Sequence, residues 1–343
     1  MSTKKIRAEY DNEETTDVLK KAKELGLGKN DLVEIYATMV EIRLFEEKAT
    51  ELYALGKVHG TMHLSAGQEA VAAGMGDIKR KTDYLLNHHR GHGHFIANGA
   101  DVRKMMAEFL GKDTGYCRGR GGSMHIADVD AYNLGANGIV GGGIEIAPGV
   151  GTAIKMKKTD QVVLVILGDG AAKLGVFHEA LNLSAIWDLP IVFLCENNHY
   201  AMSAEVERMS SKVPFRDRAK AHGIPGYFID GNDVLAVHEF MEMAFKHARS
   251  GKGPVFVEAE TYRYFGHSKS DRNLYRSKEE IQNWKDHGPI KRFRDLLLKA
   301  DVITEEQVES IHENMAKVIE EAVAYAEKSP EPEVEEVTEW VYA

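Results

Sequence analysis

Hydrophobic and polar positions change their rhythm along this chain. Val33 to Leu55 repeats apolar residues at helical spacing, through Ile35, Met39, Ile42, Phe45, Ala49 and Leu52, which predicts an amphipathic helix. Asn30 or Asp31 is its expected cap. Between about His59 and Gly151 the chain turns rich in Gly and His, with few periodic runs, as suits turns and close backbone approaches. From Gln161 the pattern becomes alternating. QVVLVIL is a short β-branched run of the kind buried in parallel sheets. The turn GDGAAKLG follows, then a helical stretch with Phe177, Leu181, Ser184 and Ala185 on one face, ended by Leu189-Pro190. IVFLCEN reads as the next strand, Val234 to Ala248 as a helix and Pro254 to Ala259 as a strand. This alternation predicts an α/β fold, a parallel sheet flanked by helices. A last helical pattern runs from about Glu305 to Glu327, and SPEPEVEEVTEWVYA reads as an extended, solvated surface strap. The expected organisation is an N-terminal arm over residues 1–30, an α/β domain over 31–328 and a C-terminal strap over 329–343.

Composition narrows the function classes. A chain of 343 residues with 43% hydrophobic residues has ample material for a buried core. Its formal charge of −10 disfavours nucleic acid, which needs a basic face. The longest apolar run, Val162 to Leu167, is far too short to span a bilayer. Cys117 and Cys195 cannot build a disulfide framework and read as reduced thiols. The acids of the N-terminal stretch argue against a transit peptide, so the expected location is cytoplasmic.

The sharpest chemistry sits in two turns at the ends of two neighbouring strands. Gly168-Asp169-Gly170 follows the first, Asn197-Asn198 the second, with 29 positions from Asp169 to Asn198. Carboxyl ends of parallel strands face the ligand crevice. A carboxylate and an amide oxygen are hard ligands suited to Mg²⁺ or Ca²⁺. The glycines and the helix start behind them suit a phosphate. Taken singly, each is an ordinary turn dipeptide. Together they form a site for a metal-bridged diphosphate. His88, His89, His92 and His94 have no Cys or acidic residue at zinc-site spacing, so a loop touching phosphate or a subunit interface is the better reading. RGRGGSM (118–124) follows no apolar strand and is expected to pack against a neighbouring subunit rather than a nucleotide. The methionines and Trp187 are expected in the core.

Asp169 with Asn198, His63-Leu64 with Gly67-Gln68-Glu69-Ala70, HRGHGH (89–94), GRGGSMH (119–125), NGIVGGG (137–143) and YRYFGHSKSD (262–271) together carry a resemblance. From about residue 30 to Ala343 the chain resembles the alpha subunits of thiamine-diphosphate-dependent acetoin and 2-oxoacid (pyruvate) dehydrogenases. The resemblance implies a thiamine-diphosphate-binding fold and a set of site residues. Asp169, Asn198 and the carbonyl of Tyr200 would hold Mg²⁺. Gly170 and Ala171 would contact the diphosphate through their backbone, with His89, Arg90 and Arg263 near it. Gly138 and Val140 would meet the aminopyrimidine ring through their main chain. His63 and His267 would be active-site histidines, with His267 over the cofactor as proton carrier or as phosphate hydrogen-bond partner.

The resemblance also implies a beta subunit in an alpha-two-beta-two heterotetramer, and a lipoyl-bearing dihydrolipoamide acetyltransferase that receives the acetyl group. An isolated chain is then expected to bind the cofactor weakly and to be inactive. HRGHGH, GGSMHIAD and ANGIVGGG look closer to acetoin-type members, so acetoin cleavage releasing acetaldehyde is favoured, with oxidative decarboxylation of pyruvate as the alternative. Three departures stand out. His89 occupies a place where pyruvate-type members have Tyr, and Lys173 one where Asn is common. The segment RNLYR after SKSD is shorter than the mammalian phosphorylation loop, although Ser268 and Ser270 keep hydroxyls. Two other readings stay open at this point: a Mg²⁺-dependent phosphate-transfer enzyme, and an inactive assembly subunit in which Lys173 displaces the metal.

Overall fold

The structure, a computed structural model, describes residues 17–58 and 60–339. Residues 1–16 of the expected arm, His59, and residues 340–343 of the expected strap lie outside the described residues. Six parallel strands form one sheet in the order β2-β1-β3-β4-β8-β7. They are β1 (Tyr84–His88), β2 (Asn133–Asn137), β3 (Val163–Gly168), β4 (Ile191–Asn197), β7 (Gly226–Asp230) and β8 (Val255–Glu260). A small antiparallel pair, β5 (Tyr200–Ala201) and β6 (Ala204–Glu205), follows β4.

Alternation along the central strands builds both faces of the sheet. Val163, Val165 and Leu167 of β3 join Ile191, Phe193 and Cys195 of β4 under the helices Gly142–Lys157 and Gly175–Ile186. Leu164 and Ile166 join Val192 and Leu194 on the opposite face, covered by Val237, Met241 and Phe245 of the helix Val234–Arg249. Because both faces are buried, these strands read in sequence as unbroken apolar runs. The helix Lys29–Ala54 packs Ile42, Phe45, Ala49 and Leu52 against the helices His92–Ala97, Val102–Phe109 and Glu305–Lys328.

Several expectations are corrected. The long helix starts at Lys29 with Gly28 as its cap, not Asn30 or Asp31. Asp31 acts from inside the first turn, where its Oδ2 accepts the Gly28 N–H at 2.7 Å. Val18 and Ala22 of a short helix, Val18–Glu24, are buried against Leu32 and Ile35. Trp187 is 47% exposed at the end of its helix, and Met156, Met202 and Met209 are exposed too. The Gly- and His-rich stretch, expected to hold turns and close backbone approaches, also carries β1, β2 and the helices Glu69–Gly76, His92–Ala97 and Val102–Phe109.

The strap is extended only in part and is not merely solvated. Residues Val334–Thr338 form a 3₁₀ turn. It is tied to the glycine-rich loop by Arg118–Glu336 (2.6 Å), by Arg120 donating to the Glu336 carbonyl (2.8 Å) and by a Lys112–Glu331 pair. That loop closes on its own chain. The buried Glu108 carboxylate accepts backbone N–H bonds from Cys117, Gly119, Gly121 and Gly122 at 2.6–3.0 Å. Gly119 sits at φ +75°, and a Cβ there would lie 2.4 Å from the Gly111 carbonyl. The amides of this loop form a nest that the chain's own carboxylate fills.

Candidate active site

The carboxyl ends of β1, β3, β4 and β8 deliver side chains to one end of the sheet. Asp169 leaves β3, Asn198 leaves the adjacent β4, and the pairing of Gly168 with Glu196 holds the two turns side by side. Asp169 is buried, and its Oδ2 has no hydrogen-bond partner among the described residues. Burial raises its carboxyl above the ordinary range, offset only in part by His199, Lys173 and Arg263. Asn198 donates its amide N–H to Gln68 Oε1 at 3.1 Å. The Tyr200 carbonyl accepts from Arg263 Nη1 at 3.0 Å. Gly170 and Ala171 open the turn behind Asp169.

A second cluster carries the opposite charge. His63, in the loop before the helix Glu69–Gly76, packs its ring 4.7 Å from His89 and 4.8 Å from His267. Arg90, after β1, is buried and donates to the Leu64 carbonyl at 2.8 Å and to the His267 carbonyl at 2.5 Å. Its Nη2 also reaches His267 Nδ1 at 3.3 Å. Arg263, after β8, is fully buried and bonds the Tyr275 hydroxyl at 2.7 Å. Burial and then Arg90 push His63 down to about 3 and His267 to about 4, and push His89 down further still. Burial, and then Arg263, push Arg90 down to about 9.

The imidazole nitrogens of His63, His89 and His267 lie within 4.8 Å of one another. Three neutral imidazoles would suit a transition metal. Two guanidinium groups stand in their field, however, and a cation there would meet like charge. The donor set fits an anion: guanidinium forks, and buried Nδ1 atoms of His63 and His89 without partners among the described residues. The orphaned Asp169 carboxylate fits a cation. A magnesium-bridged diphosphate has both charges, and the residues present fit it.

Gly138 and Val140 lie past β2 at the sheet edge. Their loop reaches the turn after Asp169, since a Cβ on Gly141 would lie 2.7 Å from Leu174 Cδ1. Val140 is 49% exposed.

Three of the four histidines in the run, His88, His92 and His94, pair with buried acids of this chain. His88 and His94 bond the buried Glu196 at 2.8 and 3.1 Å, and His92 bonds the buried Glu46 at 3.1 Å. Only His89 of the four joins the His63–His267 group. The acidic partners absent from the local spacing come from distant segments. Glu196, Gln68, Glu46 and Asp271, which accepts the His267 N–H at 2.7 Å, are absent from the sequence-based site. A signal existed for Glu196: an acid inside the apolar run IVFLCEN must be buried and must therefore be paired.

The chain matches the Dehydrogenase E1 component family over residues 37–335. It is 43% identical over 325 residues to the alpha subunit of acetoin:2,6-dichlorophenolindophenol oxidoreductase of Bacillus subtilis, covering 94% of this chain and 97% of that one. A protein of the same name from Cupriavidus necator is 39% identical over 319 residues, 93% of this chain and 96% of that one. The alpha subunit of the pyruvate dehydrogenase E1 component of Rhizobium meliloti is 40% identical over 310 residues, 90% of this chain and 89% of that one. Both names thus occur among relatives that align almost from end to end, and Asp169, Asn198, Arg90 and Arg263 fall within the matched span: the chain belongs to the Dehydrogenase E1 component family.

Proposed function

We propose that this chain is the alpha subunit of a thiamine-diphosphate-dependent dehydrogenase that cleaves acetoin, releasing acetaldehyde and passing the acetyl group to a lipoyl-bearing acetyltransferase. The observation that carries the reading is the buried Asp169 oxygen without a partner, beside Asn198 and across from the Arg90–Arg263 cluster. Asp169, Asn198 and the Tyr200 carbonyl would hold Mg²⁺. Gly170 and Ala171 would present backbone to the diphosphate, and Gly138 and Val140 would present main chain to the aminopyrimidine ring. His89, Arg90 and Arg263 would balance the anionic charge.

When bound, thiamine diphosphate supplies a carbon nucleophile for a ketone carbonyl and an electron sink for the broken carbon–carbon bond. The chain's own part is charge and proton placement. His267 Nδ1 faces the Arg90 guanidinium, which can only donate, so the neutral ring carries its proton on Nε2. It is thereby set to donate to an oxygen. His63 is likewise neutral and lies against it, set to carry a proton or to hold a phosphate oxygen.

A separate beta subunit would complete the cofactor site in an alpha-two-beta-two assembly, with residues 1–30 as arm, 31–328 as cofactor domain and 329–343 as strap. Among the described residues no helix is long and apolar enough to cross a membrane. The free cysteines Cys117 and Cys195 support a cytoplasmic location. Pyruvate is the second reading, supported by the 40% identity to the pyruvate dehydrogenase subunit. The test is reduction of 2,6-dichlorophenolindophenol by this chain co-purified with its beta partner, with thiamine diphosphate, Mg²⁺, and acetoin or pyruvate at matched concentrations. Faster reduction with acetoin is expected. Faster reduction with pyruvate would replace acetoin cleavage by oxidative decarboxylation, and reduction that needs no thiamine diphosphate would overturn both.

A further inference from the structure

We infer that Gln68 is a positioning residue that fixes which face of the Asn198 amide meets the metal. This rests on the proposed Mg²⁺ site and deepens it. An asparagine ligand works only if it presents its oxygen, and its NH₂ would repel a cation. Side-chain amide orientation is set by the surrounding hydrogen bonds, and here every bond in the chain of contacts has a forced direction.

The relay begins at a backbone group that can only donate. The Arg90 N–H points at His88 Nδ1 at 3.1 Å, so that nitrogen accepts and the neutral ring carries its proton on Nε2. His88 Nε2 then donates to Glu196 Oε2 at 2.8 Å. That oxygen accepts whether or not the other oxygen of the carboxyl carries a proton. Gln68 lies 3.0 Å from the same oxygen and must offer its NH₂. Its Oε1 is thereby turned towards Asn198, 3.1 Å away, which must offer its own NH₂ in return. Asn198 Oδ1 is left facing the other way. The Tyr200 N–H, also donor-only, meets that oxygen at 3.4 Å, in agreement with this orientation but too far to impose it alone. One lone pair of Oδ1 remains for a cation.

Gln68 is held where the relay needs it. It is 1% exposed and precedes the helix Glu69–Gly76. Gly67 before it takes φ +103°, with a Cβ position only 2.2 Å from the Tyr262 carbonyl, so the turn is pinned against the exit of β8. Partners behind a ligand commonly change metal affinity by about 10–100-fold when removed.

The experiment compares wild type, Gln68→Met, Asn198→Asp and the double variant, each co-purified with the beta partner. Mg²⁺ is titrated at saturating thiamine diphosphate, and the rise in melting temperature gives an apparent Mg²⁺ affinity without any turnover. Gln68→Met is expected to weaken Mg²⁺ at least about tenfold, with the ligand-free melting temperature little changed. In the Asn198→Asp background both side-chain oxygens accept, no NH₂ can face the metal, and removing Gln68 should cost less than about threefold. Wild-type Mg²⁺ affinity in Gln68→Met would overturn the inference, and so would an equal loss in both backgrounds, which would make Gln68 merely structural. If Gln68→Met fails to assemble, His88→Phe carries the same test from the far end of the relay. A wild-type complex with no Mg²⁺-dependent stabilisation would instead overturn the metal site itself, an outcome visible before any variant is made.

Discussion

At the residue scale, the histidines show what the site does without its ligand. Burial and then Arg90 hold His63 down to about 3 and His267 to about 4, against an ordinary value of 6.5. Between those values and 6.5 the unfolded chain binds more protons than the folded one, so stability rises with pH across that window. Acidification from pH 6.5 therefore weakens the fold progressively, and the loss is complete only below the depressed values. The ligand-free protein is expected to melt at a lower temperature at pH 5 than at pH 7.5. A His63→Asn/His89→Asn variant should show a smaller difference. Inorganic pyrophosphate, whose charge offsets Arg90 and Arg263, should narrow the gap in wild type more than in the variant, which keeps His267. Equal drops in both proteins, with or without pyrophosphate, would assign the acid sensitivity to other groups. His63 and His267 were legible in the sequence through the motifs around them. That Glu196 and Gln68 are partners was not, although Gln68 stands in one of those motifs, because they lie 128 positions apart in the chain and only the fold brings them together.

At the element scale, legibility followed burial. β3, β4 and β8 lie inside the sheet with both faces covered, so β3 and the first five residues of β4 are continuous apolar runs, and β8 opens on one, Val255-Phe256-Val257, before its two glutamates. β2 reads NLGAN and carries almost no strand signal; it becomes a strand because Asn133 and Asn137 pair with Leu85 and His88 of β1. β7 at the other edge, GYFID, is only partly buried and its signal is correspondingly weak. The glycine-rich loop is the element whose organiser was least visible. Its amides converge on Glu108 at the end of the preceding helix, Val102–Phe109, and its arginines reach forward to the tail. Glu108→Gln turns an acceptor of four N–H bonds into a group that brings its own donors, and is expected to cost about 3 kcal/mol. Chemical denaturation should read that loss. Hydrogen exchange should show faster exchange confined first to the amides of Cys117, Gly119, Gly121 and Gly122. Unchanged exchange there would mean that the tail contacts, not Glu108, hold the loop.

At the scale of the whole molecule, the sheet and the site make opposite demands. Phe193, Val165 and Leu194 are buried among apolar neighbours and stabilise the fold. At the end of the same strands the fold gathers a buried carboxylate with an unpartnered oxygen, two buried guanidinium groups and three dehydrated histidines. Each is costly without a ligand of the complementary charge. A scaffold that tolerates such groups holds them ready for binding, and relieving one should stabilise the ligand-free protein while harming the loaded one. Asp169→Asn makes the cleanest case, since it keeps the shape and removes a charge that burial already disfavours. Ligand-free Asp169→Asn is expected to be more stable than wild type by about 1–2 kcal/mol, read as a higher midpoint in urea. Adding Mg²⁺ and thiamine diphosphate to the complex with the beta partner should raise the wild-type melting temperature and leave the variant where it was. A variant less stable than wild type without ligand would mean that the Asp169 charge is already balanced inside the fold by His199, Lys173 and Arg263, and that the carboxylate is structural rather than reserved for a metal.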